Sequence, residues 1–241
     1  MAAEPPVKKR KLTTGGKSVD TPHVDVTLTE IQREPLHSSC YSGLQTNRLK
    51  YSPDLPPIFK TQGDVLAQPK VITPETKFTE LDDIKRLFPN TWNVPSVNFD
   101  TGDDVQKGRA LKVGMCFSGG QAPGGHNVAA GLYRYLKVRN PESKLYGFIG
   151  GPRGIFEGNY IELTKEVIDG FLNMGGFMMI DTGRDKIHKE EQFIASKIVC
   201  EKLDLDGLVV AGGDDSNTNA AVLAEYFKHQ KCKTNVIGVP K

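Results

Sequence analysis

Two glycines followed by two aspartates stand together in the stretch Gly212-Gly-Asp-Asp-Ser-Asn-Thr-Asn219. The apolar segment 207–211 before them has the length of a strand, and the segment 220–227 after them has apolar residues at helical spacing. The stretch is therefore predicted to be a strand-to-helix turn at the carboxyl edge of an α/β sheet, where ligands bind. Glycines there let a ligand approach the backbone, and the free N–H groups of the helix N-terminus attract an anion.

The adjacent carboxylates of Asp214 and Asp215 would repel a phosphate group unless a cation bridges at least one of them. A carboxylate combined with phosphate oxygens is a common ligand set for Mg²⁺. In the alternative interpretation, the aspartates and Ser216 only cap the helix. A single aspartate would favour the cap, whereas a glycine pair and two aspartates after a buried strand favour a ligand site.

A second glycine-rich loop, Ser118-Gly-Gly-Gln-Ala-Pro-Gly-Gly-His-Asn127, follows the strand candidate 111–117. Gly119 and Gly120 could direct backbone N–H groups at a phosphate. The loop matches neither Gly-x-Gly-x-x-Gly nor the P-loop of nucleoside triphosphatases, so those two classes are not supported. A tight turn that requires positive φ would explain the same glycines, and His126 is assigned no chemistry.

Three basic residues follow other strand candidates. Arg184, in Thr182-Gly-Arg-Asp185, could bind phosphate oxygens, or it could form a surface ion pair with Asp181 or Asp185. Lys241 ends the last strand candidate and is a plausible phosphate ligand, and Arg153 is interpreted as structural. A Mg²⁺-bound polyphosphate among glycine loops, one arginine and one lysine is the equipment for phosphoryl transfer.

Strand and helix candidates alternate from residue 111 onward, which predicts a three-layer α/β fold with a mainly parallel sheet and helices on both faces. The predicted strands are 111–117, 145–149, 207–211 and 235–239, and 175–185 is a strand or a turn. The predicted helices are 128–138, 165–173, 190–203 and 220–227. The helix 190–203 is expected to present one apolar face that carries Phe193, Ile194, Ile198 and Leu203.

The chain divides into three predicted parts: a disordered polar tail (1–35), an irregular and partly helical extension that wraps a neighbour (36–108), and the α/β domain (109–241). The extension is expected to hold a short helix that begins within 38–48, a helix at 79–87, and an extended segment at 92–99 that lies on another surface. The basic cluster at 8–11 resembles a nuclear-import signal, but such clusters are common in polar tails.

The 241 residues carry a formal net charge of +2, which argues against nucleic acid or an anionic membrane as a partner. No apolar run is long enough to span a bilayer. The four cysteines, Cys40, Cys116, Cys200 and Cys232, lack metal-ligand spacing and are interpreted as free thiols in a reducing compartment.

Taken together, the motifs resemble the phosphofructokinase family, and most closely its long pyrophosphate-dependent members, such as the catalytic β subunit of the plant enzyme. The resemblance rests on the two glycine-rich stretches, on Gly183-Arg184 and on Gly238-Val-Pro-Lys241, in the family's order. Leu44-Gln-Thr-Asn-Arg-Leu49 and Leu87-Phe-Pro-Asn90 also look like that type.

The resemblance implies a role for each site residue. Asp214 would hold Mg²⁺, and Arg184 would contact the donor and stabilise the group in transfer. The remaining residues implied to bind pyrophosphate are Gly119, Gly120, Gly213, Ser216 and Lys241. Members that use ATP have glycine in place of Asp215. A carboxylate there would clash with the nucleotide's α-phosphate, whereas pyrophosphate would still fit.

The implied reaction is the reversible, Mg²⁺-dependent phosphorylation of the 1-hydroxyl of fructose 6-phosphate by pyrophosphate, in cytoplasmic glycolysis. The family also suggests a hetero-oligomer with a regulatory α subunit and activation by fructose 2,6-bisphosphate. The family's base, in Pro-Lys-Thr-Ile-Asp, would follow Lys241. The chain is therefore expected to be the donor half of a longer protein, inactive by itself and with an incomplete sheet. Alternatives are a non-catalytic regulatory subunit, an ATP-dependent phosphofructokinase, or an unrelated α/β protein whose loops are only turns.

Overall fold

The computed structural model describes residues 22–32, 41–51, 68–72, 81–100 and 108–241. Within these residues the elements follow in the order β1 (Thr29–Glu30), α1 (Gly43–Leu49), β2 (Gln68–Ile72), α2 (Leu81–Leu87), β3 (Ser96–Asp100), β4 (Lys112–Ser118), α3 (Gly125–Arg139), β5 (Lys144–Phe148), α4 (Pro152–Glu157), β6 (Asn159–Glu162), α5 (Lys165–Phe171), β7 (Thr182–Gly183), α6 (Glu190–Lys202), β8 (Gly207–Gly212), α7 (Asp214–His229) and β9 (Asn235–Pro240).

The main sheet has the strand order β1-β6-β5-β4-β8-β9, and the short strand β7 also pairs with β4. Every pair in it is parallel except β5–β6, so the predicted mainly parallel sheet is confirmed. The antiparallel pair arises because the short helix α4 and the strand β6, which were not predicted, turn the chain back after β5.

Two hydrophobic clusters lie on opposite faces of this sheet, because successive side chains of a strand point in opposite directions. On β4, Cys116 belongs to the cluster under α4, α6 and α7, whereas Met115 and Phe117 belong to the cluster under α3 and α5. The same alternation on β8 places Val210 in the first cluster and Val209 in the second. The predicted three-layer architecture is therefore the observed one.

The prediction for the buried face of α6 was correct only for Leu203, which follows the helix and is buried in the core. The buried residues of the helix itself are Ala195, Ser196, Val199 and Cys200. Phe193 and Ile198 are only partly buried beside the core, and Ile194 is also only half-buried. Small residues allow the helix to approach the sheet closely, and this displaces the larger apolar residues to the flanks.

The predicted disordered tail is ordered where the structure describes it, at 22–32. Val26 is buried in the core, and β1 continues the main sheet by pairing with β6. Residues 1–21 and 33–40, and with them the basic cluster, lie outside the described residues. The boundaries of the three predicted parts stay predictions.

The described parts of the extension contact the α/β core through several hydrogen bonds. The hydroxyl of Tyr41 donates to the carbonyl of Gly170 on α5 at 3.0 Å. Asn90 donates its backbone N–H to the carboxylate of Glu225 on α7 at 3.0 Å, and the Thr91 hydroxyl donates to the same carboxylate at 2.9 Å. The predicted short helix is α1, which begins after a Ser42 capping box.

The segment 92–99 was predicted to be extended and to lie on another surface. Residues 96–99 are extended as predicted, in the strand β3, which pairs with β2 in a separate two-stranded antiparallel sheet. The contact with another surface stays a prediction. Val97 and Phe99 are 41% and 61% exposed. The helix α2 starts at Leu81 and contains no buried residue, while residues 79 and 80 of the predicted helix 79–87 lie outside the described residues.

Candidate functional site

The carboxyl ends of four parallel strands meet at one level of the sheet. Ser118, the last residue of β4, is in register with both Gly183 of β7 and Gly212 of β8. Gly212 is in turn paired with Pro240 of β9. The predicted site loops that follow β4, β7, β8 and β9 therefore leave the sheet side by side.

A cavity of about 390 Å³ lies between these loops. It is lined by every residue that the sequence proposed for the site: Gly119, Gly120, Arg184, Gly213, Asp214, Asp215, Ser216 and Lys241. Ser118, Asp185, Lys186 and Asn219 complete the lining. No role in the site was predicted from the sequence for Lys186 or for Asn219. The signal for Lys186 was its position directly after Arg184-Asp185 in the same loop.

The loop after β4 requires a glycine at position 119, where φ is +91°. The Gly119 N–H donates to the carbonyl of Gly183 at 2.8 Å, and the Thr182 hydroxyl donates to the carbonyl of Gly119 at 2.8 Å. A Cβ at position 119 would lie 3.7 Å from both Lys241 Nζ and Ser216 Oγ, on the cavity side. The left-handed φ therefore favours glycine at this position, and the absence of a Cβ leaves more room in the cavity beside Lys241 and Ser216.

The helix α7 begins at the cavity without a side-chain cap. Its N-cap residue is Gly213, which makes no side-chain cap hydrogen bond, and Asp214 and Asp215 occupy the first turn with exposed side chains. The alternative in which the aspartates or Ser216 serve as the N-cap is therefore not observed. The helix N-terminus faces the cavity with its backbone N–H groups available to an anion.

The polar residues that follow the aspartates fix this turn. Ser216 and Ser118 are buried, and their hydroxyls hydrogen-bond to each other at 2.9 Å, which ties α7 to the end of β4. The Asn217 side-chain amide donates to the carbonyls of Gly212 and Gly213, each at 2.8 Å. In the structure the Ser216 hydroxyl already donates its one proton to the Ser118 hydroxyl. It can donate to a phosphate only when Ser118 becomes the donor of the hydrogen bond between the two serines.

Three cationic side chains, Arg184, Lys186 and Lys241, share the cavity with three carboxylates. Among the described residues no carboxylate lies within 4.0 Å of Arg184, so the predicted alternative of a surface ion pair is not observed. The backbone N–H of Lys241 donates to the carbonyl of Gly212 at 3.1 Å, and its ammonium donates to the carbonyl of Gly120. The ammonium of Lys186 lies 3.3 Å from the carboxylate of Asp215.

The donor set at the cavity suits a hard cation that arrives with a phosphate ligand. Asp214 offers an exposed carboxylate at the cavity wall. No group of three or more acidic, histidine or cysteine side chains in the described part of the chain is arranged to hold a metal by itself. Mg²⁺ is commonly held by one or two carboxylates, with water and phosphate oxygens completing its shell, so these residues fit that ion.

His126 and Arg153 have structural positions. His126 is 1% exposed, and its Nε2 accepts a hydrogen bond from the N–H of Met179 at 3.1 Å. Burial lowers the pKa of His126 from 6.5 to about 4, so the ring is neutral and serves packing. Arg153 forms an ion pair with Glu157 at 3.0 Å on α4, as its structural interpretation predicted.

Three of the four cysteines, Cys116, Cys200 and Cys232, are buried free thiols, as predicted, and Cys40 lies outside the described residues. Burial raises the pKa of Cys116 to about 12 and also raises the pKa of Cys200. Neither is a reactive thiolate. Within the described residues, no helix has the length and apolar character needed to cross a membrane.

A family model described as phosphofructokinase matches residues 112–241 of the chain. The pyrophosphate–fructose 6-phosphate 1-phosphotransferase subunit beta 2 of Arabidopsis thaliana is 46% identical over 206 residues, which are 85% of this chain and 36% of that protein. The subunit alpha of the Solanum tuberosum protein with the same activity name is 41% identical over 207 residues, covering 83% of this chain and 33% of that protein. The chain thus spans about a third of the length of these curated relatives.

A solved structure, the pyrophosphate-dependent phosphofructokinase of Nitrosospira multiformis, aligns with a TM-score of 0.50 at 18% identity. The alignment covers 55% of this chain and 34% of that one, and at this identity it shows a shared fold. Since the family model matches more than half of the chain, the chain belongs to the phosphofructokinase family.

Proposed function

We propose that the protein containing this chain transfers a phosphoryl group reversibly between pyrophosphate and the 1-hydroxyl of fructose 6-phosphate, and that this chain carries the donor site. The convergence of Gly119, Arg184, Asp214, Asp215 and Lys241 on one cavity carries the proposal. The similarity to proteins named for this reaction supports it. Phosphoryl transfer needs mainly positioning and charge neutralisation, and this cavity offers both.

The donor would bind with one phosphate against the glycine loop of Gly119 and Gly120 and the N-terminus of α7. Backbone N–H groups at such positions bind anions without the entropy cost of ordering long side chains. Lys241 lies on the same wall, held by the backbone hydrogen bond to Gly212. Arg184 lines the same cavity beside Gly120, and its guanidinium would contact the group in transfer and stabilise its developing charge.

Asp214 would hold Mg²⁺ together with donor oxygens and water. When bound, Mg²⁺ neutralises the phosphate charge and bridges the donor's oxygens. Without such a cation, the carboxylates of Asp214 and Asp215 would repel the donor. Donor binding is therefore expected to depend on the metal.

Asp215 would select pyrophosphate over a nucleotide. Its side chain is 81% exposed and lines the cavity from the first turn of α7. A nucleotide would have to place its α-phosphate against this carboxylate, whereas pyrophosphate ends before it. The base that accepts the proton of the sugar hydroxyl, and the sugar-binding residues, are proposed to follow Lys241.

The proposed setting is cytoplasmic glycolysis, with a regulatory α subunit as partner and fructose 2,6-bisphosphate as activator. The support for a subunit partner is that proteins similar to this chain carry the names subunit beta and subunit alpha. The same similarity to a subunit alpha makes a non-catalytic regulatory subunit the second candidate function.

The first test is a calorimetric titration of the chain with pyrophosphate, with and without Mg²⁺. Binding should require Mg²⁺, and Asp214→Asn should weaken it by at least about tenfold because a carboxylate is lost from a metal site. The matched control is Asp82→Asn, an exposed aspartate in the first turn of α2 that lies far from the cavity lining. Binding that is equal without Mg²⁺, or equally weakened in both variants, would refute the donor site.

The second test is turnover by the full-length protein that contains this chain, with pyrophosphate or ATP as the donor. Formation of fructose 1,6-bisphosphate from pyrophosphate supports the enzyme. Binding of pyrophosphate without turnover would identify the regulatory subunit, and preferential use of ATP would show that Asp215 does not select the donor.

A further inference from the structure

The loop 184–188 is held rigidly against α7 although its charged side chains are exposed. Ile187 is 2% exposed and anchors the loop in the core. The Asn219 side chain accepts from the N–H of Ile187 at 3.0 Å and donates to its carbonyl at 2.7 Å. The Nδ1 of His188 donates to the carbonyl of Lys186 at 2.9 Å. The peptide group between Lys186 and Ile187 is therefore held by hydrogen bonds to its carbonyl and its N–H, and the side chain of Lys186 starts from this held segment at the cavity.

The ammonium of Lys186 lies 3.3 Å from the carboxylate of Asp215. The two side chains are 56% and 81% exposed, so solvent screens the pair and it contributes little to the stability of the fold. The ion pair instead changes the electrostatic potential inside the cavity. An ammonium at this distance offsets much of the repulsion that the Asp215 carboxylate alone would exert on a nearby phosphate.

Resting on the proposed function, we infer that Lys186 is a specificity-determining residue of the donor site, which acts as one unit with Asp215. With Asp215 present, Lys186 neutralises the carboxylate toward pyrophosphate, while the bulk of the carboxylate continues to exclude a nucleotide. Asn219 is the positioning residue of this unit, because it fixes the backbone from which Lys186 reaches the carboxylate.

The charge balance of the cavity predicts what each loss would do. Without Lys186, the lining keeps two cations against three carboxylates, and the uncompensated Asp215 repels every phosphate donor. Without Asp215, Lys186 loses its partner in the ion pair. Its ammonium then faces the space that a nucleotide α-phosphate would occupy, and it attracts that phosphate.

The test is a double-mutant cycle of Lys186→Gln and Asp215→Gly in the full-length protein, with the dissociation constants of pyrophosphate and ATP measured in the presence of Mg²⁺. Lys186→Gln should weaken pyrophosphate binding by about tenfold, because the uncompensated carboxylate of Asp215 then repels the donor. Asp215→Gly should strengthen ATP binding by about tenfold, and this gain should fall below about threefold when Lys186→Gln is added. Lys186→Arg keeps the positive charge. It should therefore bind pyrophosphate nearly as tightly as the wild-type protein, and combined with Asp215→Gly it should keep most of the gain in ATP affinity.

The control is Lys189→Gln, an exposed lysine of the same segment that does not line the cavity, and it should change neither constant by more than about twofold. If the effects of the two site variants simply multiply, or if Lys186→Arg behaves like Lys186→Gln, Lys186 has no role in selecting the donor. Failure of the wild-type protein to bind pyrophosphate with Mg²⁺ would instead refute the proposed function, so the two failures are distinguishable.

Discussion

Replacing Gly212 by alanine should damage the donor site while the matched change at the other end of the same strand should not. Gly212 is the last residue of β8, and neither it nor Gly207, the first residue, has a left-handed φ. Alanine is therefore compatible with the backbone at both positions, and only the space around the new Cβ differs.

The space around the new Cβ determines how much folding free energy each substitution costs. A Cβ at position 212 would lie 2.5 Å from the Cβ of Ser216 and 2.7 Å from the carbonyl oxygen of Ser118. Carbon atoms in favourable contact are about 3.5 Å apart, so the first turn of α7 must move away from the end of β8 by roughly 1 Å. Overpacking of this kind costs about 1–3 kcal/mol of folding free energy. At position 207 the nearest atom is 3.8 Å from the new Cβ, which is ordinary contact.

Two measurements on each variant separate stability from function. Urea unfolding of Gly212→Ala should show a loss of about 1–3 kcal/mol, whereas Gly207→Ala should be neutral or more stable by up to about 1 kcal/mol, because alanine restricts the unfolded chain. Titration with pyrophosphate and Mg²⁺ should show at least tenfold weaker binding for Gly212→Ala, since a displacement of roughly 1 Å separates Gly119 from the N-terminus of α7.

The reasoning is wrong if Gly212→Ala unfolds and binds like Gly207→Ala. That result would mean that α7 and β4 can separate without disturbing the cavity, and that the Ser118–Ser216 contact does not set its shape. Weak binding by both variants would show that glycine is needed along β8 for a reason other than the close approach at its carboxyl end.

Two further changes test contacts away from the cavity. The pKa of His126 is lowered by burial from 6.5 to about 4, so its neutral form stabilises the fold above pH 6.5, and the free energy of unfolding should fall by up to about 3 kcal/mol as the pH decreases toward 4. Denaturant unfolding measured at several pH values in this range should show that the free energy of unfolding depends less steeply on pH for His126→Gln. An unchanged pH dependence would contradict the assignment. Glu225→Ala removes the carboxylate that accepts from Asn90 and Thr91, and it should cost about 1–3 kcal/mol and speed proteolysis within 81–100. The exposed Glu142→Ala is the control, and equal proteolysis of the two variants would show that this contact does not hold the extension.

The sequence by itself was sufficient for most of the architecture of the α/β domain and for most residues of the site. Continuous apolar runs and helical periodicity are local signals, and they placed β4, β5, β8, β9, α3, α5 and α6 nearly where they occur. The helix α4 was not predicted, and α7 begins at Asp214, inside the predicted turn. Parallel strands share one carboxyl edge, so residues that follow different strands had to meet there. Gly119, Arg184, Asp214 and Lys241 line one cavity for that reason.

The tertiary structure decided the features that depend on which surfaces meet. The buried face of α6 is formed by small residues such as Ala195 and Ser196, because its distance from the sheet is set by the partner surface and not by its own periodicity. The antiparallel strand β6 and the edge strand β1 are short, and their pairing with distant segments determines them. The ion pair of Lys186 with Asp215 joins the loop after β7 to the first turn of α7. The two residues are 29 positions apart, and only the register of the folded sheet brings their side chains to 3.3 Å.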